Sequence, residues 1–144
     1  MTVVPMEERH LAALAAIERA CFSTPWREDM LRQELGKGIF LVAEQGGEAV
    51  GYVGCQTVLD EGYVTNVAVS PACRRHGIGR ALVEALIRQA KRTGLAFVTL
   101  EVRASNASAI ALYESAGFCR AGVRRHFYTA PAEDAVLMTR YLEE

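Results

Sequence analysis

Between Gly62 and Val102 the hydrophobic period changes twice, and that alternation constrains the fold more than any other feature of the chain. GYVTNVAVS, ending at Ser70, is rich in β-branched residues and reads as a strand. After Pro71 the apolar positions Ile78, Leu82, Ala85, Leu86 and Ala90 fall on one stripe of a helix, which Gly94 ends. LAFVTLEV, Leu95–Val102, then returns as a short buried strand. A strand, a helix and a strand in this order make a βαβ unit, with parallel strands and a right-handed crossover.

The flanking segments fix what surrounds this unit. Upstream, IFLVAE and AVGYVGCQTV are β-rich runs punctuated by QGGE and LDEG, so with GYVTNVAVS they form an antiparallel meander. Before them, Leu11, Leu14, Ala15, Ile17 and Cys21 recur at helical spacing behind acidic residues, and a short second helix covers Arg27–Leu35. Downstream, Ser105 or Asn106 caps a helix carrying Ile110, Leu112, Tyr113 and Ala116, with Gly117 closing it. FCRAGVRRHFY and DAVLMTRYL complete the strands. The expectation is an α/β fold: a central mixed sheet of six or seven strands flanked by about four helices, some on each face. No repeat or linker divides residues 1–144, a length that fits one domain.

RRHGIGRAL, Arg74–Leu82, is a basic, glycine-bearing turn that opens the central helix. Such a turn approaches anions, because glycine lets backbone amides come close and a helix N-terminus favours negative charge. The P-loop pattern GxxxxGK[ST] has no match here. A dinucleotide fingerprint would use Gly77 and Gly79 but meets Leu82 at its third glycine, and a meander precedes it. The pattern [Q/R]xxGxG, filled by Arg74, Gly77 and Gly79, is the remaining one. On spacing alone these glycines are equally a plain turn with solvated arginines beside it.

Charge and composition narrow the partners. A net charge of −1 gives none of the overall basicity that general nucleic-acid binding requires, so any phosphate site is local. No window approaches the roughly 20 apolar residues of a membrane span, and the N-terminus lacks a basic segment followed by a long apolar run. A soluble, cytoplasmic protein is expected. Cys21, Cys55, Cys73 and Cys119 form no CxxC pair, and His10, His76 and His126 lie far apart, so no metal is expected and the cysteines read as reduced packing residues.

The loop [Q/R]xxGxG, in this strand order, resembles the pyrophosphate loop of the GNAT superfamily of acyl-CoA-dependent N-acetyltransferases. A second block, LEVRASNASAIALYESAGF, Leu100–Phe118, resembles the RimI-type branch of that superfamily, whose members acetylate the N-terminal alanine of a small-subunit ribosomal protein. With VTNVAVSPACRRHGIGRALVEALI the close resemblance runs from Val64 to Phe118, and it continues more loosely through RRHFY and EDAVLM. Upstream it is carried mainly by TPW, Thr24–Trp26.

The resemblance implies acetyl-CoA as cosubstrate and a protein N-terminus, that of a ribosomal protein, as acceptor. It implies Glu101 as base and Tyr113 as acid for the departing thiolate. It places coenzyme contacts at Val67, Ala68 and Val69 through their backbone, at Arg75, His76, Gly77, Ile78, Gly79 and Arg80 around the diphosphate, and at Asn106. Trp26, Tyr128 and Glu133 become candidates for the border of a peptide groove. On pattern alone Glu101 is equally a carboxylate paired with Arg103 or another base, Tyr113 a core aromatic, Asn106 a helix cap and Trp26 a packed loop anchor. No cysteine is placed as an acyl carrier, so transfer is direct, in a ternary complex. Acetylation of a small amine or a lysine, and a noncatalytic acyl-CoA-binding module, are the competing functions.

Overall fold

The computed structural model describes residues 1–129 and 131–142. Its seven strands are β1 (Thr2–Pro5), β2 (Ile39–Gln45), β3 (Glu48–Val58), β4 (Glu61–Val69), β5 (Phe97–Arg103), β6 (Cys119–Thr129) and β7 (Ala132–Tyr141). The four helices are α1 (Leu11–Cys21), α2 (Glu28–Arg32), α3 (Ile78–Arg92) and α4 (Ala107–Ser115). One mixed sheet holds the strands in the order β1-β2-β3-β4-β5-β7-β6. The expected mixed sheet with helices on both faces is what forms. The seventh strand is β1, four residues that pair antiparallel with β2 and are too short to show a period. The second helix is shorter than the expected Arg27–Leu35, with turns continuing its path to Lys37.

Because both faces are covered, β2 reads as an apolar run although its side chains alternate strictly. Ile39, Leu41 and Ala43 join the core beneath α3 and α4, while Phe40 and Val42 join a second core with Leu11, Leu14 and Ile17 of α1 and Leu31 of α2. The α1-side core draws nothing from β5, β7 or β6. That half of the sheet therefore has no helix over it on the α1 face, and Thr99, Glu101 and Arg103 are only half-buried there.

Two local irregularities shape the centre. Gly54 pairs with Asn66 and Cys55 with Val64, so Thr65 is an extra residue, a β-bulge in β4. A Cβ on Gly54 would lie 2.5 Å from the Phe40 ring and 2.8 Å from Thr65 Oγ1, so the bulge fits only against glycine. The bulge turns Asn66 toward α1 and leaves Val67 and Val69 packed on the α3 side. The second irregularity is the β4–β5 pairing. It is parallel, as the βαβ reading requires, but stops after Glu61–Phe97, Gly62–Val98 and Tyr63–Thr99. Beyond Tyr63 the strands part, and the sheet is split between its two halves.

A buried carboxylate pins the α1 side of this split. Glu18 is wholly buried and accepts from the Trp26 backbone N–H at 2.8 Å, the Tyr52 hydroxyl at 2.6 Å and Asn66 Nδ2 at 2.8 Å. Glu18→Ala strands those donors, each costing about 1–3 kcal/mol when buried unpaired. The variant is expected to lose about 3 kcal/mol or more in urea unfolding, and a loss within ±0.5 kcal/mol would contradict the pinning role.

Candidate active site

Where β4 and β5 separate, a groove of about 780 Å³ opens on the α3 face, within the range of cofactor sites. One wall is the edge of β4 at Val67, Ala68 and Val69. Their other edge is paired with Val53, Tyr52 and Gly51 of β3, whereas the β5 ladder has already ended. An extended ligand can add to this edge as a strand, through backbone hydrogen bonds.

The floor at the other end is the turn before α3. Gly77 is its N-cap, left-handed at φ 76°, and Arg75 is left-handed at φ 69°, which is rare for a side chain with a Cβ. Left-handed residues in such a turn aim successive amides to one side and make an anion-binding concavity. No side chain caps α3, and its first helical bond is Ala81 N–H to Gly77 O, so the amides of its first turn face the groove unclaimed. Arg75, Gly77, Ile78, Gly79 and Arg80 all line the groove. Ile78 contributes backbone only, since its side chain is in the core. Arg80 shares its charge with Glu84 at 3.0 Å, and His76 is exposed in the turn without lining the groove. This arrangement suits the diphosphate and pantetheine of CoA.

A Cβ on Gly77 would meet no atom within 4 Å, so a side chain there crowds only the groove and the left-handed backbone. Forcing Val into that conformation costs about 1–3 kcal/mol of loop strain. Gly77→Val is expected to weaken acetyl-CoA binding by about tenfold or more. Calorimetry measures this, and unchanged affinity would contradict the loop assignment.

α4 supplies the inner wall. Asn106 Oδ1 accepts the Ala109 N–H at 3.2 Å and so caps the helix, while the residue also lines the groove; the two readings hold together. Two turns on, Tyr113 packs against Phe118 with ring centroids 5.7 Å apart. It is 8% exposed, and its hydroxyl has no protein hydrogen-bond partner among the described residues. Burial chiefly, and neighbouring Tyr128 secondarily, push it up to about 12. Core aromatic and groove hydroxyl are thus one residue.

Glu101 does not line this groove. It projects from β5 on the opposite, α1 face, where β5, β7 and β6 form an uncovered trough. Its partner is Arg124 of β6, Nε to Oε2 at 2.9 Å, and not Arg103. Arg103 instead binds Glu133 at 3.3 Å and the Pro131 carbonyl, and lies 4.3 Å above the Tyr128 ring. Tyr128 is raised by burial and then by the charge of Glu101, and it in turn acts on Tyr113. Tyr113 and Glu101 thus stand on opposite faces of the sheet, Tyr113 in the core under α3 and α4 and Glu101 on the α1 face.

The candidate border residues separate. Tyr128 and Glu133 face each other across β6 and β7 in the trough. Glu133 is held below the usual carboxylate range by hydrogen bonds from Ser105 against its desolvation, with Arg103 adding to the effect. It thereby fastens the β5–α4 turn to β7. Trp26 packs 6.5 Å from Phe40 in the α1-side core, as a loop anchor. Cys55 is buried and Cys21 and Cys73 are half-buried and packed against the two cores, as expected of packing residues, and the latter two also line the groove, whereas Cys119 is exposed on the edge strand. Arg74 is exposed at the groove, its guanidinium 3.2 Å from Cys21 Sγ and 3.3 Å from the Val69 carbonyl. The sequence reading missed Arg124, the place of Cys21 on the groove and the Glu18 pin. Only Arg124 had a signal, the basic pair in VRRHFY.

Among the described residues no group of three or more His, Cys, Asp or Glu is placed to hold a metal ion, and no helix is long and apolar enough to cross a membrane. The chain is 41% identical over 140 residues to the [Ribosomal protein bS18]-alanine N-acetyltransferase of Escherichia coli strain K12, covering 95% of each chain. The crystal structure of the ribosomal-protein-S18-alanine N-acetyltransferase from Escherichia coli superposes with a TM-score of 0.91 at 40% identity, covering 99% of this chain and 94% of that one. The structure of yncA from Salmonella typhimurium, solved with its cofactor acetyl-CoA, matches with a TM-score of 0.85 at 25% identity, over 100% and 95% of the two chains. The Acetyltransferase (GNAT) family pattern spans residues 11–118, taking in the split, the glycine turn and α4, and the chain belongs to that family.

Proposed function

We propose that this protein transfers the acetyl group of acetyl-CoA to the N-terminal α-amine of a protein, the N-terminal alanine of ribosomal protein bS18, by direct attack within a ternary complex. The observation that carries this reading is the split sheet, which opens a coenzyme groove on the α3 face and an uncovered trough on the α1 face. The identity to the Escherichia coli enzyme named for that acceptor supports it along nearly the whole chain. Glu101 takes the ammonium proton, Tyr113 hydrogen-bonds the departing thiolate, and the amides before α3 hold the diphosphate. The reaction occurs in the cytoplasm, where ribosomal proteins are made, and the whole chain acts as one domain.

The acceptor sets a modest chemical demand. An α-amine with a pKa near ~8 is about a tenth neutral at pH 7, whereas a lysine near ~10.4 is neutral in fewer than about one molecule in a thousand. A carboxylate base suffices for the first. The test is to incubate the protein with acetyl-CoA and full-length bS18 and locate the modification by mass spectrometry. One acetyl group on the N-terminal alanine is expected, and unmodified bS18 would overturn the assignment.

A further inference from the structure

Glu101, placed as the base, is not vacant: the guanidinium of Arg124 lies on its Oε2 at 2.9 Å. How β6 and β7 pair explains why this arginine reaches it. Ala135 of β7 pairs with Arg103 of β5 on one side and Arg124 of β6 on the other, so the three form one row across the sheet. In the neighbouring row Leu137 pairs with Glu101 and with Gly122. Ala135 is small and wholly buried, and Gly122 has no side chain, so the Arg124 stem can cross β7 diagonally toward Glu101. Ala121 is the extra residue that brings Gly122 opposite Leu137, and Arg124 opposite Ala135 two residues on.

The second cation of the trough cannot take this place. Arg103 is held by Glu133, by the Pro131 carbonyl and by the Tyr128 ring. Arg124 is held more loosely, with its side chain 58% exposed and its guanidinium 5.4 Å from the Phe127 ring, a ready alternative seat. An acceptor α-amine arrives mostly as its ammonium and must reach the same carboxylate. The two cations compete for that carboxylate.

We infer that Arg124 is a positioning residue that occupies on Glu101 the seat of the acceptor ammonium until the incoming amine displaces it onto Phe127. The inference rests on the preceding reading of Glu101 as the base. Its consequence runs against the usual effect of deleting a contact: removing Arg124 tightens acceptor binding. Half-exposed ion pairs are weak, so the effect is about two- to fivefold.

The experiment measures the dissociation constant of an alanine-first peptide for the protein saturated with CoA, which carries no acetyl group to transfer. Wild type, Arg124→Gln, Arg124→Lys, Glu101→Gln and the Glu101→Gln, Arg124→Gln double variant are compared. Arg124→Gln is expected to tighten binding about two- to fivefold and Arg124→Lys to stay closer to wild type, with no gain from Arg124→Gln once Glu101 is Gln. A damaged fold cannot produce that pattern. Unchanged or weaker binding by Arg124→Gln, or the same gain in the Glu101→Gln background, overturns the inference while leaving acetyl transfer by the wild-type protein intact. No peptide binding and no transfer by wild type overturns both this inference and the proposed function.

Discussion

Tyr113→Phe is expected to lower kcat by about two to three orders of magnitude, with acetyl-CoA affinity close to wild type. The ring packs against Phe118 and would stay there, while the hydroxyl makes no protein hydrogen bond among the described residues, so the change removes one groove-facing donor and little else. At about 12, Tyr113 is a weaker acid than an ordinary thiol near ~8.5, so full proton transfer to the departing thiolate is uphill. In the proposed reaction the hydroxyl stabilises the developing thiolate by a charge-assisted hydrogen bond and keeps its own proton; the acceptor nitrogen sheds two protons in becoming an amide, one to Glu101 and one that ends on the departing sulfur. The raised value also fixes a pH response. A group that must stay protonated, with its pKa raised from 10.0 to about 12, gives no alkaline loss of rate until pH approaches 12. Wild-type kcat/KM should rise to about pH 9 as the α-amine deprotonates and hold level to pH 10. CoA release under saturating peptide measures both quantities. Wild-type turnover by Tyr113→Phe, or a fall in rate centred on pH 10, would contradict the role.

Glu101→Gln carries the second large effect, a loss of about a hundredfold in kcat/KM at pH 7. The amide keeps the shape of the side chain and its place on the trough but cannot take a proton, and it gives up the ion pair with Arg124. The remaining activity belongs to acceptor molecules that bind already neutral. Their fraction grows from about a tenth at pH 7 to about nine tenths at pH 9, so the variant should recover close to tenfold over that interval and the wild type less. Full activity at pH 7 would remove Glu101 from the base position.

Much of this architecture was legible in the order of hydrophobic periods. The βαβ unit, the meander before it, the Asn106 cap and the glycine turn each depend on residues near one another in sequence, and the structure places them as expected. β1 was not legible, because four residues carry no period and its pairing with β2 is set by tertiary contact. The split was hidden for a related reason: the parallel ladder stops just before the Thr65 bulge, which leaves no local pattern. Glu101 and Tyr113 were identified by resemblance, and only the fold shows that they lie on opposite faces of the sheet. The partner of Glu101 was left open in the sequence, as Arg103 two residues away on the same strand or another base. It is Arg124, because Glu133 and Tyr128 hold Arg103 elsewhere.

The central claim is that the split joins a coenzyme on one face to a protein α-amine on the other. The most direct measurement offers the protein acetyl-CoA with an equimolar mixture of an alanine-first peptide, an N-blocked peptide bearing one lysine, and a free polyamine, and maps the acetyl group by mass spectrometry. Transfer to the α-amine of the alanine-first peptide, far ahead of the lysine and the polyamine, is the predicted result. Acetyl found chiefly on the polyamine or the lysine, or on no amine at all, would contradict it.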